Sequence, residues 1–347
     1  MIGYLSLLFT AGYSGENSVI KNLNSVNSQN TFCRKEYAMS LYGLLLGKGK
    51  TGFGYRSTAE DVTEGLSLQG KTVLITGCNS GLGCETMRVL CKRGAHVIGT
   101  ARTLEKANAA TRSVEGKTTA LACELSEPRS VRDCINQLKE SGTKIDIIIA
   151  NAGIMALPKL QKKHGYELQF FTNHIGHFIL VTGLLDQLTE HGRVVMLSSQ
   201  AHQAAPKEGI EFDNLDGKLG YSPWKAYGQS KLANLLFAKE LARRFEETNK
   251  TANAIHPGVI RTNLGRSMNP FLINVILKLV DPLLLKTIAE GAATQCFVAA
   301  HPSCAAVNGQ YLADSNLAHP SKLGENADLA KRLWERSEEI AGSLLHV

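Results

Sequence analysis

None of the eight cysteines in this 347-residue chain forms a C-x-x-C pair, and several sit in apolar runs. The spacing for a zinc site or a redox pair is therefore missing, and no metal is expected. The thiols read as small hydrophobes in a reducing compartment. No stretch reaches the roughly 18 apolar residues needed to cross a bilayer, so no transmembrane span is expected. No block of five or more like charges occurs, although the net charge is +7. The excess is spread over the surface, which argues against nucleic acid as a partner. A basic cleft for a phosphate-rich cofactor accounts for it equally well. There is no internal repeat.

The first residues lack the marks of a leader. Met1 to Tyr13 is apolar but short and has no basic region before it, so it makes a poor signal peptide. Residues 14 to 32 are rich in Ser and Asn with one acid, Glu16, as in a transit peptide, yet arginine is missing until Arg34. Residues 1–60 are expected to form an N-terminal extension, poorly ordered at least to 38. The expected compartment is the cytoplasm, with organellar targeting by residues 1–38 as the alternative.

What is present is an alternation. Hydrophobic residues make up 44% and charged residues 20% of the chain, enough for a large core. Lys71 to Ile75 reads as a buried strand, followed by a glycine turn and a helix from about Gly83 to Arg93. Further strands are expected at 95–99, 118–123, 145–149, 193–197, 252–255 and around 310–312. Helices are expected at 103–112, 128–140, 164–188 and 223–247, with a charged closing helix over 325–343 that contains Trp334. Short apolar strands alternating with helices mean βαβ units and a parallel sheet. The expected fold class is α/β, a doubly wound parallel sheet (Rossmann), with residues 61–347 as a single domain. Ligands of such sheets lie at the carboxyl ends of the strands.

Two motifs stand at those ends. Thr76-Gly77-Cys78-Asn79-Ser80-Gly81-Leu82-Gly83 follows the first strand with the spacing G-x-x-x-G-x-G. Glycine lets backbone turn sharply and approach a pyrophosphate, and the helix N-terminus offers free N–H groups to phosphates. At the end of the second strand, Gly99-Thr100-Ala101-Arg102 has no acid for ribose hydroxyls. Arg102 has the donor fork to pair with a 2′-phosphate, so NADP(H) is expected over NAD(H). An ordinary surface arginine is the alternative reading.

The second motif is Tyr227-Gly228-Gln229-Ser230-Lys231. Tyr227 and Lys231 are four apart, on one face of a helix. An ammonium ~5 Å from a phenol at an effective dielectric of ~20 contributes about 3 kcal/mol, roughly two pKa units. The expectation is a tyrosine brought down towards neutrality, where an acid–base group works best. Ser198 and Ser199 end the strand before, and pleating lets only one face the pocket. Asn173 lies on the preceding helix, where it could hold a water that passes protons from Lys231. His174 and His177 read as helix packing or surface residues, not ligands.

Taken together, these residues resemble the short-chain dehydrogenase/reductase family in its compact single-domain branch. The resemblance covers roughly residues 68 to 315. It rests on the glycine motif, Asn151-Ala152-Gly153, Asn173, Ser199, Tyr227-x-x-x-Lys231 and Pro257-Gly258-Val259-Ile260-Arg261-Thr262. It implies a seven-stranded sheet and a tetrad of Asn173, Ser199, Tyr227 and Lys231. Ser199, rather than Ser198, would orient a carbonyl while Tyr227 gives or takes the proton and Lys231 holds the nicotinamide ribose. The cofactor set it implies is Gly77, Asn79, Ser80, Gly81, Leu82, Gly83, Arg102, Glu124, Leu125, Asn151, Ala152, Gly153, Tyr227, Lys231, Pro257, Gly258, Val259 and Thr262. Glu124 departs from the family's usual Asp by one methylene. The long gap from Ser199 to Tyr227 and the Arg102 region look most like the retinol dehydrogenase and WW-domain-containing oxidoreductase group. No WW domain is visible.

Asn269 to Lys286 is rich in Leu, Ile, Val and Phe and would form a lid within about 264–290. An apolar lid suits a hydrophobic aldehyde, ketone or alcohol. Read as a packing face, the same segment implies a homo-oligomer. The expected activity is NADP(H)-dependent interconversion of such an alcohol and its carbonyl; the alternative is a cofactor-binding scaffold or redox sensor with little turnover. If Arg102 reads a 2′-phosphate, Arg102→Ala should lose about tenfold or more in NADPH affinity with little change for NADH. Titrating both cofactors against both chains checks this, and equal affinities throughout would overturn it.

Overall fold

The computed structural model describes residues 47–260 and 285–345. Among them, seven parallel strands form one sheet: β1 (Thr72–Thr76), β2 (His96–Ala101), β3 (Thr118–Ala122), β4 (Ile145–Ala150), β7 (Leu188–Leu197), β8 (Thr251–His256) and β9 (Tyr311–Ala313). A two-residue strand, β10 (Asn316–Leu317), adds an antiparallel eighth edge. The order is β10-β9-β8-β7-β4-β1-β2-β3. The chain winds outward from β1 to β3, then returns to place β4 on the other side of β1. The strand order reverses between β1 and β4, and loops there leave towards opposite faces.

The helices follow from the same alternation. α1 (Gly81–Lys92), α2 (Leu104–Arg112) and α3 (Pro128–Glu140) each fall where the sequence places them. Pro128 opens α3 in a position where its missing N–H costs nothing. The long helix expected at 164–188 is different. Lys162–Lys163 (β5) and Tyr166–Glu167 (β6) form a small hairpin, with both turn residues, His164 and Gly165, at positive φ. Helix then runs from Leu168–Phe170 (α4) through a π-helical turn, Phe171–Ile175, into Gly176–Gly183 (α5). It stops short of 188 because Leu188 is already paired with Ile145 in the sheet.

α6 (Pro223–Arg244) and α8 (Ala327–Leu345) cover one face, with α3 and α5. Trp334 on α8 packs edge-on against Phe178 (5.0 Å) and stacks on Phe237 (5.4 Å), and the Arg244 guanidinium covers its ring at 3.9 Å. The opposite face is covered by α1 and by α7 (Ile288–Ala300), a helix the sequence reading passed over. Its start is a capping box: Thr287 accepts from the Glu290 N–H and the Glu290 carboxylate accepts from the Thr287 N–H.

The boundary expected at residue 60 is not a break in packing. Phe53 packs edge-on against Phe297 at 5.6 Å, Arg56 pairs with Glu290 at 3.0 Å, and Ala59 is fully buried. Residues 47–60 thus seal the α7 face. Residues 1–38 and most of the expected lid, 264–284, lie outside the described residues. No described helix is long and apolar enough to cross a membrane.

Trp334→Ala should lower unfolding free energy by about 3–5 kcal/mol through the cavity it leaves. Urea denaturation of both chains measures this, and a loss below 1 kcal/mol would mean α8 contributes little to the core.

Candidate active site

The glycine turn is shaped by close backbone approach. Gly77 and Gly81 have φ of 73° and 59°, which side chains rarely adopt. A Cβ at Gly77 would lie 2.9 Å from the Ala152 Cβ, and one at Gly83 would lie 2.3 Å from the Gly77 carbonyl oxygen. Around Gly81 there is open space. Ser80 precedes α1 without a side-chain cap, and Asn79 and Ser80 are exposed, while Leu82 is half-buried. The first turn of α1 therefore keeps backbone donors available to an anion.

Asn151, Ala152 and Gly153 follow β4 across the switch point. Asn151 Nδ2 donates to the Thr76 carbonyl at 2.8 Å. The N–H groups of Asn151 and Ala152 both donate to Thr76 Oγ1 at 2.9 Å. Asn151 Oδ1 is buried with no partner among the described residues. Such an orphaned acceptor fits a ligand that carries hydroxyl donors. With the bare helix N-terminus, the residues present fit a dinucleotide. Arg102 is exposed just beyond β2, where Thr103 caps α2. Leu125 is buried, and its carbonyl lies so close to Gly176 that a Cβ there would be 2.2 Å away. Glu124 is turned differently from expectation. Its Oε1 accepts from the N–H and hydroxyl of Ser126, so the longer side chain folds back on its own loop.

Asn173 sits in the π turn and is fully buried. Its Oδ1 accepts from the Ile154 N–H at 2.8 Å, and its Nδ2 donates to the Ile154 carbonyl and to Ser230 Oγ, both at 2.9 Å. A Cβ on Gly153 would lie 3.1 Å from Asn173 Oδ1 and 3.4 Å from Lys231 Nζ, so glycine there lets the two approach. Geometry separates the adjacent serines. Ser198 is buried and donates to the Lys231 carbonyl at 2.7 Å. Ser199 is half-buried, accepts from the Ala201 N–H, and lies beside the Tyr227 phenol.

Lys231 is buried with its Nζ donating to the Leu197 carbonyl at 3.0 Å, and it stands 5.7 Å from the centre of the Tyr227 ring. The charge balance reverses the expected direction for tyrosine. Burial pushes the Tyr227 phenol up to about 12, against a smaller opposing pull from Ser199. Burial also brings Lys231 down to about 8. Desolvation disfavours either charge more than the pair's attraction favours both, so in the protein alone the two drift towards neutral forms.

Pro257 and Gly258 are half-buried, Val259 is exposed, and Thr262 lies outside the described residues. Sequence reasoning missed Lys286. Its N–H donates to the Val259 carbonyl at 2.9 Å, and its stem fills the space where a Cβ on Gly258 would be. Its Nζ pairs with Asp314 at 2.5 Å over the Tyr55 ring, fully buried. An apolar run around a lone lysine carries no signal for that pairing. His174 and His177, read as packing or surface, are both fully buried.

A family profile described as short chain dehydrogenase matches residues 71–272. The chain belongs to the short-chain dehydrogenase/reductase family. It is accordingly an NAD(P)-dependent oxidoreductase acting on CH–OH groups. It is 43% identical over 321 residues to the short-chain dehydrogenase TIC 32 B, chloroplastic, of Brassica napus, covering 88% of this chain and all of that protein. It is 37% identical to human retinol dehydrogenase 14, covering 80% of this chain and 88% of that one. A solved but uncharacterized protein from Mycobacterium Paratuberculosis is 33% identical, with a TM-score of 0.67 over 81% of this chain and 97% of that one. A short-chain dehydrogenase from Burkholderia cenocepacia solved with NADP, at 23% identity and TM-score 0.58 over 71% of this chain and 96% of that one, shares the fold.

The lowered Lys231 makes stability depend on pH in this short-chain dehydrogenase. Between pH 8 and 10.5 the unfolded lysine holds a proton that the folded one has shed, so stability should rise with pH across that window. Lys231→Met should flatten the rise. Denaturation midpoints taken across the window check this, and identical slopes in the two chains would contradict the assignment.

Proposed function

We propose that the chain is an NADP(H)-dependent oxidoreductase that interconverts a hydrophobic alcohol and its aldehyde or ketone, with Tyr227 as the acid/base group. The observation that carries the reading is the convergence of Ser199, Tyr227, Lys231 and Asn173 beside Gly153. Bound NADPH supplies the hydride. The groups that would hold it are the α1 N-terminus, Arg102, Asn151 and the Pro257-Gly258 loop. Ser199 orients the carbonyl oxygen towards Tyr227. A phenol held near 12 stays protonated at neutral pH, so Tyr227 stands ready as a proton donor in the reducing direction. Lys231, charged below about 8, stabilises the phenolate left behind. Asn173, locked to Ile154, keeps the Lys231 side of the crevice in place.

Preference for NADP(H) is supported by an exposed Arg102 with no acid at the end of β2. An apolar substrate is supported by Trp224, 36% exposed and 6.2 Å from the Tyr227 ring. The retinol dehydrogenase names of several relatives point the same way. For the compartment we favour the plastid over the cytoplasm, on the chloroplastic name of the Brassica relative.

Purified chain should oxidise NADPH with decanal or all-trans-retinaldehyde faster than with hexanal. Tyr227→Phe should lose about 10²–10⁴-fold in kcat while still binding NADPH. Absorbance of NADPH follows the reaction. Tight NADPH binding with no turnover on any of the three would favour the scaffold reading instead.

A further inference from the structure

His177 lies one turn beyond Asn173, and both of its ring nitrogens are engaged. Nδ1 is 2.8 Å from the Asn173 carbonyl oxygen, and Nε2 is 2.8 Å from Thr76 Oγ1. The ring is fully buried.

Which nitrogen carries the proton follows from counting. A threonine hydroxyl has one proton and two lone pairs. Thr76 Oγ1 already accepts from the N–H groups of Ala152 and of Asn151, the latter shared with the Ile149 carbonyl at 3.0 Å. The hydroxyl proton must therefore go to His177 Nε2, which accepts. The neutral ring then carries its proton on Nδ1. That nitrogen faces a carbonyl, which can only accept, so the second constraint demands the same tautomer. A second ring proton, on Nε2, would face an oxygen that already accepts twice. Burial adds to this, and the imidazole is brought down to about 4, so the ring stays neutral at physiological pH.

The two ends of this bridge belong to different parts of the site. Thr76 ends β1 and holds the Asn151–Ala152 loop after β4. Asn173 lies in the π turn, where the Gly176 N–H reaches back five residues to the Phe171 carbonyl. Its side chain is the one that abuts Gly153 near Lys231. Tolerances here are small, since a Cβ on Gly77 would come within 2.9 Å of the Ala152 Cβ.

We propose that His177, as its Nδ1–H tautomer, is a positioning residue that ties the Asn173 turn to the Thr76-held Asn151–Ala152 loop, keeping the cofactor side and the proton-transfer side of the crevice in register. It touches neither substrate nor cofactor. The consequence for cofactor binding rests on the NADP(H) oxidoreductase reading, whereas the tautomer does not.

The two bonds can be removed one at a time. Gln at 177 places an acceptor near the Nε2 position and keeps the Thr76 bond. Asn is shorter, keeps a donor near the Nδ1 position for Asn173, and cannot reach Thr76. Thr76→Ser retains the hydroxyl. The full chain with isotope-labelled histidine would be read by long-range proton–nitrogen NMR near neutral pH, the His177 signal being assigned by its loss in His177→Gln. NADPH affinity would be titrated by fluorescence for the wild type and the three variants, with thermal melts alongside.

The expected result is an Nδ1–H ring in the wild type. His177→Gln and Thr76→Ser should bind NADPH within about threefold of wild type, and His177→Asn about tenfold more weakly. With decanal, His177→Gln should lower kcat while leaving the KM for NADPH unchanged. A wild-type ring protonated on Nε2 overturns the proposal, as does equal NADPH affinity in the Gln and Asn variants. If His177→Asn does not fold, the wild-type tautomer and the Gln variant's split between kcat and KM decide. A wild type with the Nδ1–H ring that binds no NADPH supports the bridge and refutes the cofactor reading.

Discussion

Where β1 and β4 lie side by side, the loops that follow them leave towards opposite faces of the sheet, and their spacing sets the floor of the crevice. Thr76 holds that spacing. Its hydroxyl takes two backbone N–H groups from the loop after β4, and its carbonyl takes the Asn151 amide. Three donors of that loop are met by one residue at the point where the strand order reverses. Three close approaches lie nearby: Gly77 against Ala152, Gly83 against the Gly77 carbonyl, and Gly153 against Asn173. In each a side chain on the glycine would force a neighbour to shift. A buried polar junction of this kind is costly to leave half-made, which makes its geometry narrow.

Burial governs the ionisation of Tyr227 and Lys231 as much as charge does. Lys231 and Tyr227 are near one another, but both are taken out of water, and desolvation is the larger effect on each. The lysine keeps a strong hydrogen bond to the Leu197 carbonyl, at the end of β7, that fixes its position in either protonation state. In the proposed reaction, a tyrosine held protonated would be the donor and the buried lysine next to it would provide the charge for the phenolate left behind. The sheet supplies the rigid frame for this, since Leu197, Ser199 and Asn151 all stand at strand ends.

The region around Lys286 is held by a separate set of contacts. Residues 47–60 fold over α7, and Arg56 joins the capping box of that helix through Glu290. Tyr55 covers the buried ammonium of Lys286, whose stem packs on Gly258. The chain enters and leaves the expected lid at Ile260 and Lys286, which are bridged as neighbouring strands. The two described ends of the segment expected to form a lid are therefore held side by side.

Much of this was legible beforehand, for physical reasons. Short apolar runs marked the strands, and Gly77, Gly81 and Gly83 marked a turn and a close backbone approach. Tyr227 and Lys231 share a helix face by spacing alone. Two further signals were present and passed over: the Thr287-x-x-Glu290 capping box and the His164-Gly165 turn, each a local pattern with a local cause. Other features have no local cause. Residue chemistry alone left Ser198 and Ser199 open, and only the family resemblance chose Ser199; the physical difference between them, Ser198 donating to the Lys231 carbonyl 33 residues away, has no local cause. The direction of the Tyr227 shift needed the depth of burial, which spacing along a helix does not report. The bond between His177 and Thr76 spans 101 residues and exists only because β1 and α5 pack on one another. Sequence by itself determined the fold class and the candidate acid–base groups, because both rest on short-range pattern and residue chemistry. Tertiary structure alone decided which polar atoms are paired, which are desolvated and which face the crevice, because those depend on what the rest of the chain brings within 3 Å of them.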